Sequence, residues 1–401
     1  MTQPKLGIKT LAVHAGEQPD PITRAASPNL VMSTTYIADP DSGFSIENVE
    51  ADAPYVYTRW SNPTTDQLER KLAALEGAEA GVAFASGMAA ISALFLHSLK
   101  SGDQLLMSDV AYAGAAELTN EILPGFGIEV IKVNLSNLDE LAAVLSPRAK
   151  LVFIDTPCNP LLRLTDIAAV AGMAHAVGAK VAVDSTFATP VATRPIELGA
   201  DFVIHSLTKY IGGHGDALGG ALLGPKAELD ALRQRINVRL GGVISPFNAW
   251  LILRGAATLP LRMKAHEAGA MQVARFLESH PQVKQVMYPG LSSHPQHRLA
   301  QRQMENFSGM LTFQVVGEGR QVARVLAERL KVWHYAVSLG HHRSLLFYLA
   351  TDDLLTTSFK LNEAQAKSYR DFAGEGMFRV SVGIEDPDDL CRDLEQALAG
   401  S

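Results

Sequence analysis

Short apolar runs alternate with helical patterns from residue 65 to residue 255, and this alternation restricts the fold more than any other feature of the chain. The runs fall at 81–85, 104–108, 128–134, 150–155, 180–184, 201–206 and 219–223. Helix-like stretches at 65–75, 88–99 and 167–177 lie between several of them. Strands that are apolar throughout need cover on both faces, and helices in the connections supply it. The pattern therefore predicts an α/β fold with a mostly parallel, doubly wound sheet. Ligands of such sheets bind beyond the carboxyl ends of the strands, so the residues that follow each run carry the functional question.

The flanks read differently. Residues 1–60 are rich in Pro, Thr, Ser and Tyr with little periodicity, and look like an arm without a core of its own. The sheet-bearing unit is expected over 61–255. After 256 comes a long helical stretch at 261–279, then strand-like runs at 283–288, 310–316 and 378–382. Helices are expected at 321–330 and 388–398. That texture predicts a smaller α+β domain over 256–401.

Composition excludes some partners. The 401 residues carry a net charge of −7, with no basic block, so nucleic acid is not expected to bind. Cys158 and Cys391 are the two cysteines, which offers neither a disulfide framework nor zinc-ligand spacing and fits a reducing cytoplasm. The first residues have no apolar core of signal-peptide type. Residues 80–99 have about the length of a membrane span, but Ser86-Gly87 interrupts them. A strand feeding a buried helix explains them better, and no membrane partner is expected.

The strand ends hold an unusual set of polar groups. The first run leads into Ser86-Gly87-Met88 at a strand-to-helix turn, where free backbone N–H groups can bind an anion. Tyr112 follows the second run and Asn159 the run ending at Asp155. Asp184 ends its own run, with Thr186 just after it. The run ending at Ser206 brings Thr208 and Lys209. Each has a plainer reading alone: a capping Asp184, a turn-forming Asn159, a packed Tyr112, a solvated Lys209. Together on one sheet edge they suit pyridoxal phosphate. That cofactor needs an amine to form an imine, a carboxylate at its ring nitrogen, an anion cradle and a flat ring partner. Lys209, Asp184, the 86–88 turn and Tyr112 would supply them, with Ser206 and Thr208 as further phosphate donors.

The chain also resembles the cystathionine/methionine-metabolism family of pyridoxal-phosphate enzymes over nearly its whole length. The matching stretches include Tyr57-Thr-Arg-Trp-Ser-Asn-Pro-Thr, Pro157-Cys-Asn-Pro, Val183-Asp-Ser-Thr-Phe-Ala-Thr-Pro, Ser206-Leu-Thr-Lys-Tyr-Ile-Gly-Gly-His-Gly-Asp and Phe378-Arg-Val-Ser-Val-Gly-Ile-Glu-Asp. The resemblance implies the fold-type I architecture and a homotetramer of two catalytic dimers. It implies that Tyr57 and Arg59 reach the phosphate of a neighbouring subunit and that Asn159 lies near the cofactor's phenolic oxygen. It makes Arg379 the clamp for the substrate α-carboxylate, places Ser338 beside substrate and lysine, and makes Lys209 and Tyr112 the catalytic pair.

Departures from the family pattern fall on the substrate side. Where many members read Ser-Leu-Gly-Gly-x-Glu-Ser-Leu, this chain has Ser338-Leu-Gly-His-His-Arg343-Ser-Leu. Glu117 stands where an arginine is common, and Gly114 where many methionine lyases carry cysteine. Arg343 suits an anionic substrate tail and Glu117 a cationic one, while the plainer reading is that the two pair or face solvent. The expected activity is elimination at the γ carbon of an amino acid, with cystathionine a poor substrate. Replacement is the alternative, as in O-succinyl- or O-acetylhomoserine sulfhydrylases or cystathionine γ-synthases. A non-catalytic binding protein on the same fold is the remaining reading.

Overall fold

The computed structural model describes residues 6–38, 40 and 55–399. Its larger sheet holds β1 (Ala80–Phe84), β2 (Gln104–Ser108), β3 (Glu129–Val133), β4 (Ala149–Asp155), β5 (Lys180–Asp184), β6 (Phe202–Ser206) and β7 (Gly220–Gly224). They lie in the order β1-β7-β6-β5-β4-β2-β3. Strands β2 to β6 pair in parallel, and β7 runs against both of its neighbours, β6 and β1. The sheet is thus mostly parallel, as the alternation predicts.

Strand geometry sends successive side chains to opposite faces. Leu105, Met107, Leu151 and Phe153 join one buried cluster with Leu94 and Phe95 of the helix Gly87–Ser98. Leu106, Val152, Ile154, Val181 and Val183 join another with Val170 and Ala174 of the helix Ile167–Ala176. Cover on both faces is why these runs are apolar throughout rather than alternating. The stretch 80–99 is strand β1 followed by that first helix, with Ser86 between them as its N-cap. No described helix is long and apolar enough to cross a membrane.

A second sheet holds β8 (Val283–Met287), β9 (Met310–Val315), β10 (His334–Tyr335), β11 (Leu345–Ala350) and β12 (Gly376–Ser381), in the order β10-β11-β12-β9-β8. β12 pairs antiparallel with β11 and β9 on its two sides, which fixes Arg379 opposite Phe347 and Thr312. The largest buried cluster runs from Leu68, Val203 and Tyr210 through Leu339 to Phe378 and Val380. One continuous core therefore holds the second sheet against the carboxyl edge of the first.

Sequence patterning missed β10, β11 and the helix Glu363–Ala373. β11 is a continuous apolar run without helical or strand period, which periodicity alone leaves ambiguous. The helix did carry a signal, a reciprocal capping box between Asn362 and Gln365. In the arm, the helix Ile8–His14 docks through buried Lys71, whose Nζ donates to the Ala12 carbonyl at 2.6 Å and pairs with Glu17 at 2.6 Å.

Candidate active site

A cavity of about 390 Å³ opens at the carboxyl edge of the larger sheet. Parallel pairing brings the ends of β4, β5 and β6 to one level, and the second sheet closes the opposite wall. Ser86, Gly87 and Met88 line one end, with Ser206 and Thr208 beside them. The Ser86 hydroxyl caps the helix by accepting from the Ala89 N–H at 3.1 Å. The helix therefore starts in the cavity with its positive dipole end, the standard position for an anion.

Asp155 and Asp184 sit opposite each other in the β4–β5 register, and both face the cavity. The Asp155 carboxylate accepts from the Tyr112 N–H at 2.7 Å. Asp184 accepts from the Thr186 N–H at 3.0 Å, and the Thr186 hydroxyl accepts from the Ser206 N–H at 2.9 Å. Burial pushes the Asp184 carboxyl above its ordinary range against the hydrogen bonds from Thr186 and the nearby His205. Burial, then the charge of Asp184, pushes Asp155 up as well. Desolvation is thus the largest cause at both carboxyls.

Lys209 enters from the turn after β6. Its Nζ donates to the Ser338 hydroxyl at 2.8 Å. Burial, with the Arg379 guanidinium as the second cause, holds its pKa down to about 8. Arg379 reaches in from β12 and donates to the Asn159 side-chain oxygen at 3.0 Å and to the Ser338 carbonyl at 3.3 Å. Ser338 has φ of +86°, a conformation that costs a non-glycine residue roughly 1–3 kcal/mol. Its neighbours hold it there: the Gly340 N–H donates to the Ser381 hydroxyl at 2.8 Å. A Cβ on Gly340 would lie 2.5 Å from the Tyr210 backbone nitrogen. Only glycine lets this loop press against the lysine segment.

The structure thus brings together Ser86, Gly87, Met88, Tyr112, Asn159, Asp184, Thr186, Ser206, Thr208, Lys209, Ser338 and Arg379 around one cavity. Four residues named from the sequence lie elsewhere. Tyr57 is 40% exposed, with Arg59 stacked over its ring at 5.5 Å and donating to the Val238 carbonyl. Glu117 is exposed on the helix Ala113–Glu121 and accepts from the Ser358 hydroxyl at 2.6 Å. Arg343 is exposed just before β11. Neither of these two lines the cavity. Asp155 and Phe187 line it and were not singled out from the sequence, although each sits at or just after a strand end, like the residues that were.

The donor set fits a phosphorylated pyridine aldehyde. It offers a helix start with two hydroxyls for a phosphate and a raised, buried carboxylate for a cationic ring nitrogen. It also offers a partly buried amine whose pKa burial and the Arg379 charge hold down.

Known proteins agree. Residues 9–399 match the model of the family described as Cys/Met metabolism PLP-dependent enzyme. A canavanine gamma-lyase of Pseudomonas canavaninivorans is 40% identical over 396 residues, covering 98% of this chain and 96% of that protein. A cystathionine gamma-synthase of Mycobacterium bovis is 40% identical over 392 residues, covering 98% and 97%. The crystal structure of metB from Corynebacterium glutamicum superposes with a TM-score of 0.89 at 38% identity, covering 98% of each chain. The chain belongs to the Cys/Met metabolism family of enzymes whose cofactor is pyridoxal phosphate.

Proposed function

We propose that this enzyme is a lyase that expels a heteroatom group from the γ carbon of an amino acid. The observation that carries the reading is Lys209: a partly buried amine, its pKa held down by burial and Arg379, bonded to Ser338 where the two sheets meet. Bound pyridoxal phosphate supplies an electron sink that makes the substrate's α proton removable.

The residues divide the remaining work. The 86–88 turn, Ser206 and Thr208 would hold the phosphate. Asp184, oriented by Thr186, would keep the ring nitrogen protonated. Tyr112 would lie on the ring and Asn159 beside its phenolic oxygen. Arg379 would grip the substrate carboxylate bidentately, in place of its present bonds to Asn159 and Ser338. That grip would set the α C–H toward Lys209. With a pKa near 8, the Lys209 amine can take that proton and return one to a neighbouring position or to the leaving group near neutral pH.

The neighbouring-subunit role of Tyr57 and Arg59 belongs to the same proposal. It is supported by their position outside their own chain's cavity, whose basic lining residues are Lys209 and Arg379. A catalytic dimer follows from that reading, the family resemblance extends it to a homotetramer of two such dimers, and the two free thiols support a cytoplasmic location.

A second reading has a specific observation behind it. Identity of 40% to both a canavanine gamma-lyase and a cystathionine gamma-synthase supports γ-replacement as well as elimination. The test is a panel of cystathionine, methionine, homoserine esters, cysteine and canavanine given to the purified holoenzyme, scored for oxo acids, ammonia and homoserine with and without an added thiol. Release without thiol from a γ-substituted substrate supports the lyase. Turnover only with thiol supports the transferase, and turnover of none would refute both.

A further inference from the structure

Ser338 has a second neighbour. His341 Nε2 lies 3.4 Å from the Ser338 hydroxyl oxygen, on which Lys209 Nζ already donates at 2.8 Å. A hydroxyl that accepts from an ammonium keeps one proton of its own to give. The only other hydrogen-bonding side chain at that oxygen among the described residues is this imidazole, which accepts only when neutral. The ring is seated rather than loose: a Cβ on Gly215 would lie 2.7 Å from its Cε1 and Nδ1, and Gly215 has φ of +73°. The glycine turn after Lys209 thus packs against a side chain that the family pattern, with glycine at this place, does not carry.

We propose that His341 is a positioning residue for Lys209, acting through the Ser338 hydroxyl. Neutral His341 accepts a hydrogen bond from the Ser338 hydroxyl, so the lone pairs of that oxygen stay available to Lys209 and favour its protonated form. Protonated His341 can only donate. It then competes with Lys209 for the lone pairs of the hydroxyl and places a like charge behind it. No bond is made or broken, and only the direction of two hydrogen bonds changes.

The charges around the ring favour the neutral form. Lys209 from the turn after β6, and His342 and Arg343 from its own loop, all oppose a proton on it, while Asp216 of the glycine turn favours one. Burial adds to the first group and is the largest cause, so His341 titrates below the usual histidine range. Arg379 of β12 faces Lys209 itself, and His214 packs on His342 with ring centroids 5.8 Å apart. Arg343, outside the cavity, thereby gains a role through its charge on His341.

The inference rests on Lys209 being the reacting amine, which peptide mapping of the trapped cofactor tests separately. Its own test compares holoenzyme of the wild type, His341→Ala and His341→Gln by kcat and KM against pH, because kcat reads the substrate-bound state in which Lys209 is a free amine. In His341→Ala, kcat should fall about tenfold with KM little changed, the rate equivalent of one hydrogen bond, and the acid-side fall in kcat should disappear. His341→Gln keeps an acceptor near the same place, so its neutral-pH kcat should stay close to wild type while the acid-side fall in kcat disappears. A His341→Ala enzyme with wild-type kcat and an intact acid limb would overturn the inference. So would a His341→Gln enzyme as impaired as His341→Ala with the acid limb intact, since the ring would then only fill the Gly215 cradle.

Discussion

The two walls of the cavity are built in different ways. The cofactor-side wall consists of strand ends, with Asp155, Asp184 and Ser206 fixed by the ladder of the larger sheet. Asp155, Asp184 and Ser206 are the last residues of their strands, and Ser86, Thr186 and Thr208 each lie two residues beyond one. The opposite wall is the loop 336–344 with Arg379 of β12. It contains a serine at φ of +86° and contacts such as Lys209–Ser338 that join residues 129 apart in the chain. The sheet can place the same chemistry in any chain that shares the fold. A loop can carry a substitution such as His341 without disturbing the ladder.

This contrast orders the consequences of substitution. Cofactor-wall changes should abolish turnover, whereas loop changes should retune it. Lys209→Ala should fold with an unchanged circular dichroism spectrum and lose at least about ten-thousandfold in oxo acid release, the upper range for a group that moves the proton itself. Near-normal turnover without added amine would break the contrast at its strongest point. Asp184→Asn removes the charge but not the shape, and should cost about a hundredfold or more in kcat together with bound cofactor. Comparable activity and cofactor content would count against this wall.

A smaller effect probes where the wall ends. If Arg59 completes a neighbour's site, inactive Lys209→Ala and Arg59→Ala subunits should complement on mixing. Half of randomly paired dimers are mixed, and each mixed dimer has one intact site of two, so about a quarter of wild-type activity should return. A fully active monomer by light scattering would confine the site to one chain. On the loop side, Arg343→Glu should change kcat/KM for cystathionine relative to other γ-substituted substrates by only a few-fold, the scale of an exposed charge at about 1 kcal/mol or less. Cystathionine as the best wild-type substrate, unmoved by that reversal, would remove the argument that the altered loop retunes specificity.

The same contrast explains what could be read from the chain. Asp184 and Lys209 were legible because an apolar run of strand length announces its own end, and parallel strands gather their ends on one edge. Asp155 was overlooked by the same logic only because its plainer role, ending a strand, sufficed. Ser338, Arg379 and Arg59 came from resemblance, not from periodicity, since a loop and a second sheet carry no local mark of what they will face. His341 stood out only as a departure. Its meaning depends on the approach of a glycine turn more than a hundred residues away in the chain. Glu117 and Arg343 exchange the usual charges, yet both are exposed and neither lines the cavity, a placement that no spacing rule encodes.

The central claim is that the amine at Lys209 is the one that holds the cofactor. Borohydride reduction of the holoenzyme followed by peptide mass mapping tests it most directly. The account predicts a single pyridoxyl-phosphate adduct on the peptide that carries Lys209, absent from Lys209→Ala. An adduct on a different lysine, or the same adduct pattern in the Lys209→Ala protein, would contradict it.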